Sequence, residues 1–142
     1  KRAVVLSNAK TIVAIADREY TVAEAIEMKN HGIEFEEFLL NEMRCQYADA
    51  NRTISAENGE KLSERADKFV IDMYGSKEGK TNTADFEKAK KDFITANSYD
   101  LVDPLDIKKK IDELEEYISN FKTEVDAALS VSNAITEITV EY

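Results

Sequence analysis

Five residues near the start, Ser7-Asn8-Ala9-Lys10-Thr11, return near the end as Ser132-Asn133-Ala134-Ile135-Thr136. The match spreads outward, Ala3 answering Ala128, Val13 answering Ile138 and Ile15 answering Val140. Each copy has an apolar, helix-compatible approach and then Ser-Asn, whose side chains compete for backbone hydrogen bonds and favour helix ends. Thr follows, with apolar residues at every second position, the period of a half-buried strand. Both copies therefore read as helix-to-strand junctions. Because they stand at opposite ends of the chain, they predict N- and C-terminal strands, within residues 1–20 and 132–142, meeting in one small sheet. Residues 21–131 then form a helical hairpin that goes out and returns. The expected class is mainly α with a small β-sheet (α+β): an antiparallel long-helix hairpin with a shorter helix, in a single elongated domain over 1–142. Only Lys1 to Leu6 precede the first junction, so further sequence upstream of Lys1 is expected.

The pattern between the junctions supports this. Thr11 to Ala16 alternates as a strand, Asp17-Arg18 is a candidate turn, and Glu19-Tyr20 returns. Thr21-Val22-Ala23-Glu24 has the spacing of a capping box, in which the Thr hydroxyl and the Glu carboxylate each satisfy the other's backbone amide. A helix starts there, with Asn30-His31-Gly32 a candidate kink or break. From Ile33 to Tyr74 the apolar positions Phe35, Phe38/Leu39, Met43, Tyr47, Ala50, Ile54, Leu62, Ala66, Phe69/Val70 and Met73 recur every three or four residues. The stripe thins at Asn58-Gly59, a second candidate break, and Gly75 is a plausible terminator.

Residues 76–82 read as a polar loop, and Thr83 as the cap of a short helix ending at Asn97-Ser98. Asp103-Pro104 has the form of a helix start, an N-cap followed by proline at the first position. Beyond it Ile107, Ile111, Leu114, Ile118, Phe121, Val125 and Ala128 are spaced alternately by four and three, a heptad seam that demands a partner helix. The long helix, run antiparallel, is the natural partner. At about 1.5 Å per residue the two would reach roughly 60 Å and 40 Å, leaving the short helix to cover the distal part. The seam could also bury against a second copy of the chain.

Charge narrows the partners. The net charge of −10 is distributed as +2 over residues 1–20, −6 over 21–74, +1 over 75–110 and −7 over 111–142. Nucleic acid and anionic membranes are bound largely through clustered Lys and Arg, so neither is an expected partner. No apolar run approaches the ~20 residues of a membrane span. One cysteine and no signal peptide pattern point to a reducing, cytoplasmic setting.

No catalytic constellation stands out. Gly75-Ser76-Lys77-Glu78-Gly79-Lys80-Thr81 has three residues between its glycines where a phosphate-binding loop needs four, and it follows a helix rather than a strand. His31 is the only histidine, so no His-pair metal site or His-based triad fits within one chain. Glu27, one turn earlier, does not complete a site. Cys45 has no second cysteine or evident activating base, and Asn51-Arg52-Thr53 lies in a predicted helix. Glu34, Glu36 and Glu37, and Glu113, Glu115 and Glu116, lack the Glu-x-x-His of carboxylate-bridged metal bundles and read as solvated faces. The sheet end differs, because Arg2, Lys10 and Arg18 cluster in sequence with Tyr20, and Tyr142 closes the second strand. Those five residues are the candidate ligand-binding set, for an anion or nucleotide held between basic and aromatic groups. No cofactor is implied.

Ser7-Asn8-Ala9-x-Thr11, then Tyr20-Thr21-Val22-Ala23-Glu24-Ala25-Ile26, then Asp103-Pro104-Leu105 through Val125-Asp126-Ala127-Ala128-Leu129 to Ser132-Asn133-Ala134 and the closing Val140-Glu141-Tyr142, resemble an uncharacterised family of small helical proteins encoded by phages and prophages of Gram-positive bacteria. The resemblance covers both ends of the chain and carries no functional residue with it. It implies a viral protein acting in the host bacterial cytoplasm. Small viral proteins of this kind often bind a host protein or a signalling nucleotide of host defence, commonly as oligomers. The expectation is therefore a non-enzymatic oligomeric binding protein that sequesters a host partner or a small anionic defence signal. The alternative is a structural or assembly component of a phage particle.

Overall fold

A computed structural model describes residues 1–75 and 83–139. The fold is mainly α with one small antiparallel sheet. Its elements are α1 (Arg2–Asn8), β1 (Ile12–Ile15), β2 (Arg18–Thr21), α2 (Val22–Glu27), a π-helical turn (Met28–Gly32), α3 (Ile33–Asn58), α4 (Glu60–Tyr74), α5 (Thr83–Asn97) and α6 (Ile107–Ile135). They form two compact units, one made of Lys1–Arg44 with Asp106–Tyr142 and the other of Cys45–Leu105.

In the first unit the opening junction folds as its sequence dictates. α1 ends at Asn8, the Ser7 carbonyl accepts from the Lys10 and Thr11 amides, and β1 follows. β1 and β2 pair in the register Ile12–Thr21, Val13–Tyr20, Ala14–Glu19 and Ile15–Arg18. The reversal falls on Ala16 and Asp17, one residue earlier than Asp17-Arg18. Both have positive φ, 50° and 58°, as a two-residue type I′ hairpin requires. The capping box at Thr21 is complete. Thr21 Oγ1 accepts from the Glu24 amide at 3.1 Å and Glu24 Oε2 accepts from the Thr21 amide at 2.7 Å. That amide, and then the Thr21 hydroxyl, hold the Glu24 carboxyl below its usual pKa.

The expected interruption at Asn30-His31-Gly32 takes the form of a π-helical turn between the short α2 and the long α3, which absorbs one residue and lets α-helix resume at Ile33. α6 carries the seam where the heptads put it. Ile111, Ile118, Phe121 and Val125 are buried, and Ile107, Leu114 and Ala128 are half-buried. α6 packs chiefly on β1 and α2, and two ion pairs set the first part of α3 beside it, antiparallel. Glu37 meets Lys122 and Arg44 meets Glu115, seven residues on along one helix and seven back along the other, with the signs exchanged.

Three differences from the sequence reading have physical causes. First, α3 turns Ile33 and Leu40 into the core and leaves Phe35 and Phe38 75 % and 66 % exposed. The helix carries two apolar stripes, and the alignment with α6 chose the one flanked by Glu37 and Arg44. Second, α6 begins at Ile107 and not just after Asp103. Asp106 sits in the left-handed region at φ 52°, which stops a helix from running through, and Pro104-Leu105 forms a turn. Third, helix continues through the second Ser-Asn to Ile135. Ser132 lies one turn past Ala128 on the buried face, so packing overrides its preference for a helix end. Thr136 is extended, but residues 136–139 pair with no strand, and the sheet is built of β1 and β2 alone among the described residues.

In the second unit α3 ends at Asn58, Gly59 separates it from α4, and Gly75, at φ 81°, terminates α4 with its amide on the Ile71 carbonyl. α4 and α5 pack through Leu62, Ala66, Val70 and Phe86, with Phe69 and Phe93 stacked at 4.7 Å between ring centroids. The Asn58 side-chain amide donates to the Tyr99 carbonyl and accepts from the Tyr99 amide, both at 2.7 Å. The expected loop at residues 76–82, and with it the glycine-lysine stretch from Gly75 to Thr81, lies outside the described residues apart from Gly75 itself.

Candidate functional site

The sheet end of the first unit gathers the features that could carry function. β2 presents Arg18 and Tyr20 on one side because residues two apart on a strand share a face, and α6 delivers Tyr117 and Phe121 one turn apart beneath them. The Arg18 guanidinium carbon sits 3.8 Å from the centroid of the Tyr117 ring. The Tyr20 and Tyr117 hydroxyls share a hydrogen bond of 2.7 Å, and the Tyr20 ring meets the fully buried Phe121 edge-on at 5.8 Å. Burial, reinforced by the Tyr20 hydroxyl, pushes the Tyr117 phenol well above the usual tyrosine range. It stays neutral, and the cluster reads as a cation stacked on a packed aromatic base.

The structure brings two of the five sequence candidates together. Arg18 and Tyr20 come together as described. Lys10 precedes β1 at the opposite end of the hairpin, about 17 Å from the Arg18 end at ~3.3 Å per residue. Arg2 is exposed on α1. Tyr142 lies outside the described residues.

The feature that sequence reading missed lies along the other side of the hairpin. The Val22 amide donates to the Thr11 carbonyl at 2.9 Å, so Thr11, Val13 and Ile15 are the residues that direct backbone groups toward β2. Ile12 and Ala14 then point their N–H and C=O groups outward, where among the described residues nothing pairs with them. The next outward amide, that of Ala16, is taken by Glu124 Oε2 at 2.7 Å. Between this edge and α6 runs a groove of about 560 Å³, with Ala127, Ala128, Val131 and Ile135 as its apolar wall. A strand edge beside an apolar helix is the geometry that accepts an extended peptide, main chain on the edge and alternate side chains against the helix. The only signal in the sequence was the two-residue hairpin itself, which leaves one edge of each strand uncovered.

A second hollow of about 460 Å³ has Glu24, Glu27, His31 and Phe35 among its lining residues. Glu24 is committed to the capping box. Cys45 is exposed on α3, and no group of three His, Cys, Asp or Glu is placed to hold a metal ion among the described residues. Among these residues, too, no helix is long and apolar enough to cross a membrane. Comparison with described protein families, curated proteins and solved structures gave no match.

Proposed function

We propose that this chain is a non-enzymatic, oligomeric binding protein that sequesters an extended protein segment along β1. One observation carries the reading: the outward backbone groups of Ile12 and Ala14 face a groove walled by apolar residues of α6. Main-chain bonds to the edge supply affinity for any extended chain, and the wall selects apolar residues at every second position. In the viral setting implied by the sequence resemblance, the captured segment belongs to a host protein. Capture of a small anion draws less support, because Lys10 and Arg18 stand at opposite ends of the hairpin.

A displayed library of seven-residue peptides, panned on the full chain, tests this. The selected peptides should be apolar at alternate positions. They should lose binding to Ala14→Pro, which removes an outward donor without touching a bond to β2, and to Val131→Asp on the wall. Selection of peptides without that alternation, or equal binding to both folded variants, would overturn the reading.

A further inference from the structure

We infer that the resident occupant of this groove is the segment following α6, beginning at Thr136, of a second copy of the chain. The inference rests on the groove's being a site for an extended segment and names what fills it. Residues 136–142 read Thr-Glu-Ile-Thr-Val-Glu-Tyr. Laid along β1, this sequence puts Ile138, Val140 and Tyr142 on one side and Glu137, Thr139 and Glu141 on the other. The first set suits a wall whose Ala127 and Ala128 leave room for larger partners, and the second set remains in solvent. The described part of the segment is ready for such a role. Thr136 is extended at φ −82° and ψ 120°, Ile138 is 40 % exposed, and residues 136–139 belong to no sheet.

Geometry argues against the chain's own groove. Glu124 meets Ala16 at one end of β1, and the wall runs from there about 16 Å along α6 to Ile135. The segment leaves α6 at Ile135 and would have to reverse at once to lie beside its own β1. Thr136-Glu137 contains none of the Gly, Asn, Asp, Ser or Pro that tight reversals use. A segment from another copy enters without that reversal, and exchange in both directions closes a two-fold dimer. Charge agrees: Glu137 and Glu141 come from a segment without a basic residue, and Lys10 directly precedes the β1 end of the groove. The second copy completes the site, and an outside segment must displace it.

The test uses full-length chains in a Cys45→Ser background. One carries Ala14→Cys and the other Thr139→Cys, two positions on the solvent side of the joined strands. Mixing them under mild oxidation should give a mixed disulfide dimer by mass. Sedimentation should show a dimer whose dissociation constant rises about tenfold or more in Ile138→Asp, because one apolar side chain leaves the wall. A chain carrying both cysteines that instead closes on itself as a monomer would overturn the second-copy assignment while leaving the groove a strand site. Absence of both disulfides, with self-association indifferent to Ile138→Asp, would overturn it as well. The peptide selection decides the groove independently, because alternating peptides that depend on Ala14 can be recovered whether or not the segment from another copy is the occupant.

Discussion

Tyr20 and Tyr117, 97 residues apart in sequence, join β2 to α6 through one hydrogen bond between their hydroxyls. Tyr20→Phe should cost about 1 kcal/mol in urea unfolding, the net worth of a neutral hydrogen bond. The pair also sets an alkaline limit. The folded Tyr117 phenol is raised above its ordinary value of 10.0, so its contribution is complete below that pH and is lost as pH rises toward the folded pKa. Unfolding followed by circular dichroism between pH 8 and pH 11 should show a decline that begins near pH 10 and is smaller in Tyr117→Phe.

Ala16 and Asp17 hold positive φ without glycine in the turn. The double substitution Ala16→Asn, Asp17→Gly supplies the residues a type I′ turn favours and should raise stability by about 1 kcal/mol. The Ala16 amide is retained, so its bond to Glu124 survives. An unchanged or lower denaturation midpoint would count against the turn geometry.

The capping box gives an acid-side prediction. Thr21→Ala should cost about 1 kcal/mol. The folded Glu24 carboxyl titrates below 4.5, so its contribution is present above that pH and lost as pH falls through the lower folded value. Hydrogen exchange at the Thr21 amide should accelerate on acidification relative to the intrinsic rate, and Glu24→Gln should remove that pH dependence.

The two cross-helix ion pairs test the antiparallel alignment. Glu37→Lys alone should lose about 0.5 kcal/mol, and adding Lys122→Glu should restore it. Charge reversal at both Arg44 and Glu115 should behave likewise in direction. Both effects should shrink in high salt. Failure of the paired reversals to recover stability would mean that the helices are aligned otherwise.

The sequence made some of this plain and concealed the rest for identifiable reasons. Thr21 and Glu24 are neighbours whose interaction needs nothing beyond local spacing, so the helix start was legible. The seam from Ile107 to Ala128 was legible because only one stripe of α6 is apolar throughout. On α3, periodicity alone could not decide between the stripe through Phe35 and the one through Leu40, because the decision belongs to α6. Asp103-Pro104 had the chemistry of a helix start, but Asp106 adopts a backbone conformation that spacing does not reveal. At the site, Arg18 and Tyr20 are close in sequence and share one side of β2, whereas their support, Tyr117, lies almost a hundred residues away. A Tyr117-Phe121 pair one turn apart was the available hint. The outward edge of β1 follows from register, which only the observed Thr11–Val22 bond fixes.

The bond between Ala16 and Glu124 spans 108 residues, and this separation has a consequence for how the protein is made. On a ribosome adding ~5–20 residues per second, the hairpin emerges on the order of ten seconds before the carboxylate that finishes its turn. Before that interval ends, once Leu105 has been made, the unit of Cys45–Leu105 has all its own partners at hand, so it can close first. The unit built from both ends of the chain has to wait for translation to deliver α6, and any message truncated before Glu124 yields a hairpin that never acquires its last hydrogen bond.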